Sequence, residues 1–275
     1  MDPNGTNITP VETLSQNFTA YAQSSADDKI AFAYSSNVSS PAYQILTNTV
    51  LSANGATEID AGPYVYVQSI QFTPDGTRLV YVAQTLTGTS GVYVANSDGT
   101  GTPVRLDEAD DVSLSPSGDY IVYSRFFSNG EICVRKLDGS AFVRLTSNSS
   151  EDIFPQWSKD GSKIVFSSNR TGSNFNIFLM NSNGTSPVQL TSTSSNEYGS
   201  TMNTDGSVVA YTKIGANPGI YSTPAGGGSE TPVFTGTTDA WIYWTTSNGR
   251  RGGIGGLGLS IGRPSLRERQ LLVGR

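Results

Sequence analysis

The sequence predicts an all-β protein, a β-propeller of six four-stranded blades in which the first blade is degenerate and the sixth incomplete. Three observations support this fold class. The composition is rich in Gly, Ser, Thr and Asn and has frequent Tyr and Phe, which is typical of short strands joined by polar turns. One phrase of about ten residues recurs at nearly constant spacing, and a second strand-like phrase follows each copy of it.

The first repeated phrase has an apolar residue, a short polar turn that ends in Asp-Gly or Ser-Gly, and an apolar strand that ends in an aromatic residue. It reads FTPDGTRLVY (72–81), LSPSGDYIVY (114–123), WSKDGSKIVF (157–166) and MNTDGSVVAY (202–211). The spacings between its turn glycines are 42, 43 and 45 residues. We expect these glycines to adopt the positive φ that two-residue hairpin turns need. Apolar runs such as KIVF predict strands that are covered on both faces.

The second phrase completes each repeating unit. It reads GVYVANSDGT (91–100), EICVRKLDGS (131–140), NIFLMNSNGT (176–185) and GIYSTPAGGG (219–228), and a short apolar stretch follows each copy. Each unit therefore has four predicted strands joined by tight connections. One such unit cannot bury both of its faces, whereas units packed around an axis do bury them.

The two ends of the repeat are less regular than its middle. A degenerate first copy of the repeat lies at 25–36 and 51–59. A sixth copy begins at 239–249 but loses the pattern after Gly249. The sequence predicts three parts. Residues 1–23 are an N-terminal segment with a candidate ring-closing strand, and residues 24–249 are the propeller. Residues 250–275 are a basic tail rich in Gly, Arg and Leu that does not match the repeat. The tail carries a net charge of +5, whereas the rest of the chain carries −11.

Composition also narrows the chemistry. The chain has no histidine, which excludes Ser-His-Asp and Cys-His catalysis, and Cys133 is its one cysteine. The acidic body argues against nucleic acid as the main partner. No apolar run approaches the roughly 20 residues of a transmembrane helix, and the polar N-terminus has no signal-peptide pattern. We therefore expect a protein that is not an enzyme and that needs no cofactor.

Acidic residues recur just before the first strand of several units. Asp152 lies five residues before Trp157, and Glu197 lies five before Met202. The remaining members of this acidic set occupy nearby or corresponding places: Asp110, Asp111 and Asp239. Because the first strand of a propeller blade is innermost, we expect the set to gather at one mouth of the central channel and to attract a cation or a basic segment. The alternative is that each carboxylate caps backbone amides at the start of its blade.

The best-preserved unit, DIFPQWSKDGSKIVFSSNRTGSNFNIFLMNSNGTSPVQLT, resembles the repeat of TolB-like β-propellers. A similar repeat occurs in the propeller domains of tricorn-type and prolyl-oligopeptidase-type peptidases. The residues that match the family pattern are Asp152, Pro155, Trp157, Ser158, Asp160, Gly161, Ile164, Phe166, Ser168 and Arg170. The resemblance covers roughly residues 24–249. Ser117 and Met202 depart from it, at an Asp and a Trp position respectively.

The resemblance implies a function as well as a fold. It implies a non-catalytic scaffold that binds another protein in the bacterial periplasm or outside the cell. The partner would present a basic segment to the acidic set. Two alternatives are a propeller associated with a peptidase and a propeller that binds or acts on carbohydrate, for which Trp241, Tyr243 and Trp244 are the densest aromatic group.

Overall fold

The computed structural model describes residues 17–27, 29–35, 43–49 and 57–235. These residues contain nineteen β-strands and no helix. The strands are β1 (Asn17–Gln23), β2 (Lys29–Ser35), β3 (Tyr43–Thr49), β4 (Thr57–Phe72), β5 (Arg78–Thr85), β6 (Ser90–Asn96), β7 (Val104–Asp107), β8 (Ser113–Leu114), β9 (Tyr120–Phe126), β10 (Gly130–Lys136), β11 (Phe142–Arg144), β12 (Asp152–Trp157), β13 (Lys163–Ser168), β14 (Asn176–Asn181), β15 (Val188–Gln189), β16 (Asn196–Met202), β17 (Val208–Ile214), β18 (Gly219–Pro224) and β19 (Thr231–Thr235). The prediction of an all-β fold is confirmed.

The chain divides into two compact units, Met1–Asp107 and Glu108–Arg275. In the first unit, β1 to β7 form one seven-stranded sheet in chain order, here called sheet A. The second unit has three four-stranded sheets, also in chain order: sheet B (β8 to β11), sheet C (β12 to β15) and sheet D (β16 to β19). Each of these three sheets is an up-and-down antiparallel arrangement of the kind that the repeat predicts for one blade.

Sheet A differs from the prediction of two separate blades in this part of the chain. Its fourth strand, β4, is 16 residues long and pairs with β3 through its first half and with β5 through its second half. The strand passes through Gly62 and Pro63 without ending, because the Asp60 carboxylate accepts a hydrogen bond from the Gly62 N–H at 2.9 Å and the register shifts there. A bulge of this kind tolerates a proline inside a strand.

The first hairpin of each unit has the expected glycine but a longer connection than expected. The turn glycines Gly76, Gly118, Gly161 and Gly206 have φ values between 71° and 78°. The connection is not a two-residue turn, because the Thr73 N–H bonds the Arg78 carbonyl at 2.9 Å and closes four residues between them. Within this loop the Gly76 N–H bonds the Thr73 carbonyl at 2.8 Å.

The aspartate before the turn glycine has a structural role in the units that carry one. Asp75 accepts a hydrogen bond from the Thr77 N–H at 3.0 Å, and Asp160 accepts one from the Ser162 N–H at 3.0 Å. These are the local side-chain bonds that make Asp favourable in turns. Hydrogen bonds to the Asp160 carboxyl lower its pKa to about 2, and the bond from the Ser158 hydroxyl contributes most.

Sheet C is buried on both faces. Ile164 and Phe166 pack with Val122 and Ile132 of sheet B. On the opposite face, Val165 packs with residues of sheet D that include Met202, Val209 and Tyr211. The central residues of β13 are fully buried, which explains why KIVF is apolar without alternation.

The last strand of each four-stranded sheet is short and mostly exposed. All three residues of β11 and all five of β19 are exposed. Short outer strands limit the unpaired edge that a sheet presents to other chains. At the other end of the chain, β1 pairs with β2, and its ring-closing role stays a prediction. The sixth blade at 239–249, Asp239 and the tail lie outside the described residues.

Candidate functional site

Two members of the acidic set lie within the beginning of a first strand, and not just before it as the sequence predicted. Asp152 is the first residue of β12 and pairs in register with Ser168, and Glu197 in β16 pairs with Lys213. Both carboxylates are completely buried. A buried carboxylate is stable only if it is paired or hydrogen-bonded, so the partners of these two residues define what the site does.

Asp152 forms an ion pair inside the fold. Its Oδ2 accepts hydrogen bonds from the Arg170 Nη2 at 2.8 Å and from the Asn148 Nδ2 at 2.7 Å. The Arg170 guanidinium also lies over the rings of Phe166 and Phe178, at 5.1 and 5.0 Å from their centroids. The Asp152 Oδ1 is buried and has no hydrogen-bond partner among the described residues. Arg170 therefore neutralises the carboxylate and stacks on the core at the same time.

Glu197 is held by two threonines of the preceding connection. The Thr193 hydroxyl donates to its Oε1 at 2.8 Å, and the Thr191 hydroxyl donates to its Oε2. Burial raises the pKa of the Glu197 carboxyl, while these hydroxyl bonds act in the opposite direction. Both hydrogen-bond partners are neutral hydroxyl groups, and the charge of Lys213 on the neighbouring strand also lowers the pKa of Glu197.

The two sites are equivalent, and each joins one blade to the next. Thr146 and Thr191 accept hydrogen bonds at 2.9 Å from the N–H of Ile132 and Ile177, so they occupy the same place in sheets B and C. Two residues later, Asn148 and Thr193 bond the carboxylates of the following sheets. We call these contacts the interblade junctions. The donors to Asp152 and Glu197 are side chains and not the backbone amides of the capping alternative.

Asp110 and Asp111 occupy a different place from Asp152. The pairs Leu114–Ile121 and Trp157–Ile164 align sheets B and C, so the residue five before Leu114 is Ala109. Asp111 is three residues before Leu114 and therefore corresponds to Phe154. The spacing in the sequence predicted only that these aspartates lie near the common position.

Asp111 forms a third connection between sheets. Its carboxylate accepts hydrogen bonds from the Ser124 N–H at 2.7 Å, from the Ser124 hydroxyl, and from the Phe154 N–H of sheet C at 3.1 Å. Burial raises the pKa of the Asp111 carboxyl to about 6, and the neighbouring Asp110 adds to that rise. Asp110 is half-buried.

Phe154 has a backbone conformation that is unusual for its residue type. Its φ is 55°, and the corresponding Gly199 in sheet D has a φ of 59°. The register of both first strands shifts at this point, so each has a bulge there. A phenylalanine with positive φ is strained, and its N–H is fixed by Asp111.

Glu131 is a buried carboxylate that sequence reasoning missed. It is fully buried at the start of β10, and it accepts hydrogen bonds from Arg144 at 2.8 Å, from the Thr146 hydroxyl at 2.5 Å and from the Asn148 N–H at 3.0 Å. The sequence signal that could have pointed to Glu131 was the Leu-Thr pair that ends both sheet B and sheet C. The threonine of this pair occurs at both interblade junctions.

The buried carboxylates of this region bond donors of their own sheet and of the neighbouring sheets. Over the described ranges, no group of three or more His, Cys, Asp and Glu side chains is placed to hold a metal ion. Cys133 is buried, as expected for a thiol between strand residues.

A family model described as the TolB beta propeller domain matches residues 75–250, more than half of the chain. The chain belongs to the TolB β-propeller family. This confirms the resemblance that the repeat carries. Among curated proteins, no sequence matches this chain.

Solved structures with the same fold include two TolB proteins. A protein assigned as TolB from Agrobacterium tumefaciens aligns with a TM-score of 0.64 and 20% identity, over 82% of this chain and 83% of that one. TolB from Acinetobacter baumannii aligns with a TM-score of 0.59 and 19% identity, over 80% of this chain and 57% of that one. A nidogen/laminin complex aligns with a TM-score of 0.56 and 13% identity, over 77% of each chain. At these identities the likeness shows the fold.

The TolB-like chain has no described helix that is long and apolar enough to cross a membrane. Of the acidic set, Asp111, Asp152 and Glu197 all lie in the second unit: Asp111 lies just before β8 of sheet B, Asp152 in sheet C and Glu197 in sheet D. Asp111 and the interblade junctions make polar connections between these sheets.

Proposed function

We propose that this TolB-like chain is a non-catalytic scaffold that binds another protein in the bacterial cell envelope or outside the cell. The observation that carries the proposal is the match of the repeat to the TolB family over residues 75–250. A propeller presents loops and strand ends on a rigid frame, and the junctions at Asp152 and Glu197 are the kind of internal bonding that such a frame needs.

We propose further that the acidic set attracts a basic segment of the partner. Its members differ in how they contribute. Asp110 is half-buried and is the member through which a partner would make contact. Asp111, Asp152 and Glu197 are held by neighbouring donors, so they act by maintaining the strand and by adding negative potential. The ion pair with Arg170 reduces the negative potential that Asp152 contributes.

Charge reversal at Asp110 tests this site. The probe is a short synthetic peptide in which Lys alternates with Ser, labelled for fluorescence anisotropy at low ionic strength. We expect Asp110→Lys to weaken its binding by about tenfold, because a local attraction becomes a repulsion. We expect added salt to weaken the binding to the unmodified protein as well.

Asp119→Lys is the matched control. Asp119 is exposed in the turn between β8 and β9, so the substitution makes the same change in net charge at a position outside the acidic set. If Asp110→Lys and Asp119→Lys weakened peptide binding equally, the effect would come from the overall net charge. The proposed site would then be refuted. Absence of binding to the unmodified protein at low salt would refute it too.

A further inference from the structure

The connection between β14 and β15 contains the dipeptide Asn183-Gly184 at a turn of sheet C. Asn183 is exposed, and Gly184 has a φ of 85°. An Asn-Gly pair is prone to an internal reaction, because glycine has no side chain to keep its backbone nitrogen away from the carbonyl carbon of the asparagine amide. In a folded chain, the bonds that hold the amide and the glycine decide whether these two atoms meet.

The equivalent turns of sheets A and B carry aspartate in place of Asn183. The repeated phrase reads NSDGT at 96–100, KLDGS at 136–140 and NSNGT at 181–185. Asp98 accepts hydrogen bonds from the N–H and the hydroxyl of Thr100, at 2.9 and 2.6 Å. Asp138 accepts the same two bonds from Ser140, also at 2.9 and 2.6 Å. The turn therefore accommodates a carboxylate at this position.

Asn183 makes the same two bonds through its amide oxygen. Its Oδ1 accepts hydrogen bonds from the Thr185 N–H at 3.1 Å and from the Thr185 hydroxyl at 2.7 Å. The Asn181 Nδ2 donates to that hydroxyl at 2.8 Å, which polarises it further. These donors draw electrons from the amide carbonyl and would stabilise negative charge on Oδ1, as the donors of an oxyanion hole do. Every hydrogen bond of the Asn183 side chain to the described residues uses Oδ1, so the amide nitrogen is left to solvent.

The other Asn-Gly pair of the described ranges, Asn129-Gly130, is held in a different way. The Asn129 Nδ2 donates a hydrogen bond to the Glu131 carboxylate at 3.1 Å. It also donates to the carbonyls of Asn148, at 3.2 Å, and Ser150. Gly130 is buried as the first residue of β10, which pairs with β9. The amide nitrogen and the glycine are therefore both fixed, and this pair is protected.

The glycine of the exposed pair is held by less. The Gly184 N–H bonds the Asn181 carbonyl at 2.9 Å across the turn. A single bond at an exposed turn opens at a lower free energy than a strand in the middle of a sheet. The backbone nitrogen of Gly184 is therefore available to react while the sheet stays folded.

We propose that Asn183 is a modification site, at which the folded protein loses the side-chain amide by deamidation and gains a carboxylate. The Gly184 nitrogen gives its proton to solvent and bonds to the Asn183 Cγ. The bond from Cγ to Nδ2 then breaks, and ammonia leaves with a proton from water. Water opens the resulting cyclic imide at either of its carbonyls, which gives aspartate or isoaspartate. The reaction needs no reagent besides water, and it is independent of the protein-binding function proposed above.

The two products should differ in their effect on the fold. Aspartate reproduces the turn of Asp138, where the bonds from Ser140 lower the pKa of the carboxyl to about 2, so it adds a negative charge and keeps the turn. Isoaspartate lengthens the backbone next to Gly184. An added Cβ on Gly184 would already meet the carbonyl of Leu145, which follows β11, at 3.0 Å. Isoaspartate should therefore disturb the contact between sheets B and C.

Peptide mapping by mass spectrometry of the full chain, incubated at mildly alkaline pH, tests the site. We expect Asn183 to convert in the folded protein and Asn129 to convert about tenfold more slowly or less, because its strand must open first. In urea, where the fold is lost, the two pairs should convert at similar rates. Equal rates in the folded protein, or conversion of Asn183 only in urea, would overturn the proposal.

Thr185→Val tests the polarising role of the hydroxyl, because it removes that donor and keeps the backbone N–H. It should slow conversion of Asn183 by about tenfold. Thr100→Val is the matched control: it removes the equivalent hydroxyl in sheet A and should leave the rate at Asn183 unchanged. A rate in Thr185→Val that is unchanged or faster would show that the turn does not promote the reaction. Asn183→Asp should keep the urea midpoint of the unmodified protein, and a lower midpoint would contradict the equivalence of the turns.

Discussion

The carboxylate of Asp111 accepts a hydrogen bond from the backbone N–H of Phe154 at 3.1 Å and so connects sheet B to sheet C. The same carboxylate accepts the N–H of Ser124 at 2.7 Å within its own sheet. One side chain therefore serves backbone donors of two sheets, one of which has positive φ. The stability of this connection can be measured directly.

Replacement of Asp111 by alanine should destabilise the protein. The substitution leaves the N–H groups of Ser124 and Phe154 without their acceptor, which costs about 2 kcal/mol for partly buried donors. The measurement is urea unfolding followed by tyrosine and tryptophan fluorescence. Asp119→Ala removes an exposed carboxylate of the same sheet and should change the unfolding free energy by less than about 0.5 kcal/mol. Equal effects of the two substitutions would contradict the assigned role.

The pH dependence of stability should carry the signature of Asp111. Its pKa is raised to about 6 in the folded protein, above the usual 3.8, so the folded state binds the proton more tightly than the unfolded state. The resulting stabilisation is fully present below pH 3.8 and is lost as the pH rises through 6. Its size is of the order of 3 kcal/mol.

Unfolding of the unmodified protein and of Asp111→Asn over this pH range isolates the contribution, because the amide does not titrate. The unmodified protein should lose stability relative to the variant as the pH is raised. A difference between them that is constant with pH would show that the Asp111 pKa is not raised in the folded protein.

Loss of Arg170 should be among the most damaging single changes in sheet C. Arg170→Ala leaves Asp152 as a buried, uncompensated charge and removes the stacking on Phe166 and Phe178. Breaking one side of a buried ion pair costs about 3 to 5 kcal/mol. Chemical denaturation is again the measurement, and the double variant Asp152→Asn/Arg170→Gln should recover part of the loss because it removes both charges.

Lys136→Ala provides the exposed counterpart of this experiment. Lys136 pairs with Asp138 at 3.0 Å, and the two side chains are 41% and 51% exposed. A surface pair contributes about 0 to 1 kcal/mol, so this variant should unfold close to the unmodified protein. A cost for Lys136→Ala that matches Arg170→Ala would mean that burial does not set the strength of these pairs.

The turn at Gly161 should tolerate alanine poorly although it has space for a methyl group. An added Cβ would meet nothing closer than Pro116 at 3.7 Å, but the φ of 73° is unfavourable for alanine. We expect Gly161→Ala to cost about 1 kcal/mol in thermal or chemical unfolding. Gly172→Ala has open space and no positive φ, so it should be neutral or slightly stabilising. The reverse order would contradict a conformational origin of the effect.

Much of the second unit was predictable because its repeat is local. The spacing of Gly118, Gly161 and Gly206 corresponds to sheets B, C and D, since each glycine closes the first hairpin of its sheet. The apolar run KIVF also identified the buried strand at Ile164. The seven-stranded sheet of the first unit was not predicted. The continuity of β4 through Gly62 depends on a hydrogen bond that the Gly62 N–H donates to the Asp60 carboxylate, and this bond leaves no periodic signal in the sequence.

The candidate site was predictable in position but not in bonding. The interval before Trp157 predicted that Asp152 precedes its first strand, and Asp152 is the first residue of that strand. Its partner Asn148 and the equivalent Thr193 are different residue types, so self-alignment of the chain did not match them. Binding by the acidic set stays a prediction, for which the experiment on Asp110 is the test.

The sequence by itself determined the repeated antiparallel unit, the turn glycines and the buried central strands, because each depends on residues close together in the chain. Only the tertiary structure decided which polar side chains meet across sheets: Asp111 with the Phe154 N–H, and Asp152 with Asn148 and Arg170. It also paired Phe142 with Arg135 and Arg144 with Cys133 between β10 and β11. These contacts follow from strand register and from the packing of successive sheets, since a shift of one residue would turn each side chain to the opposite face.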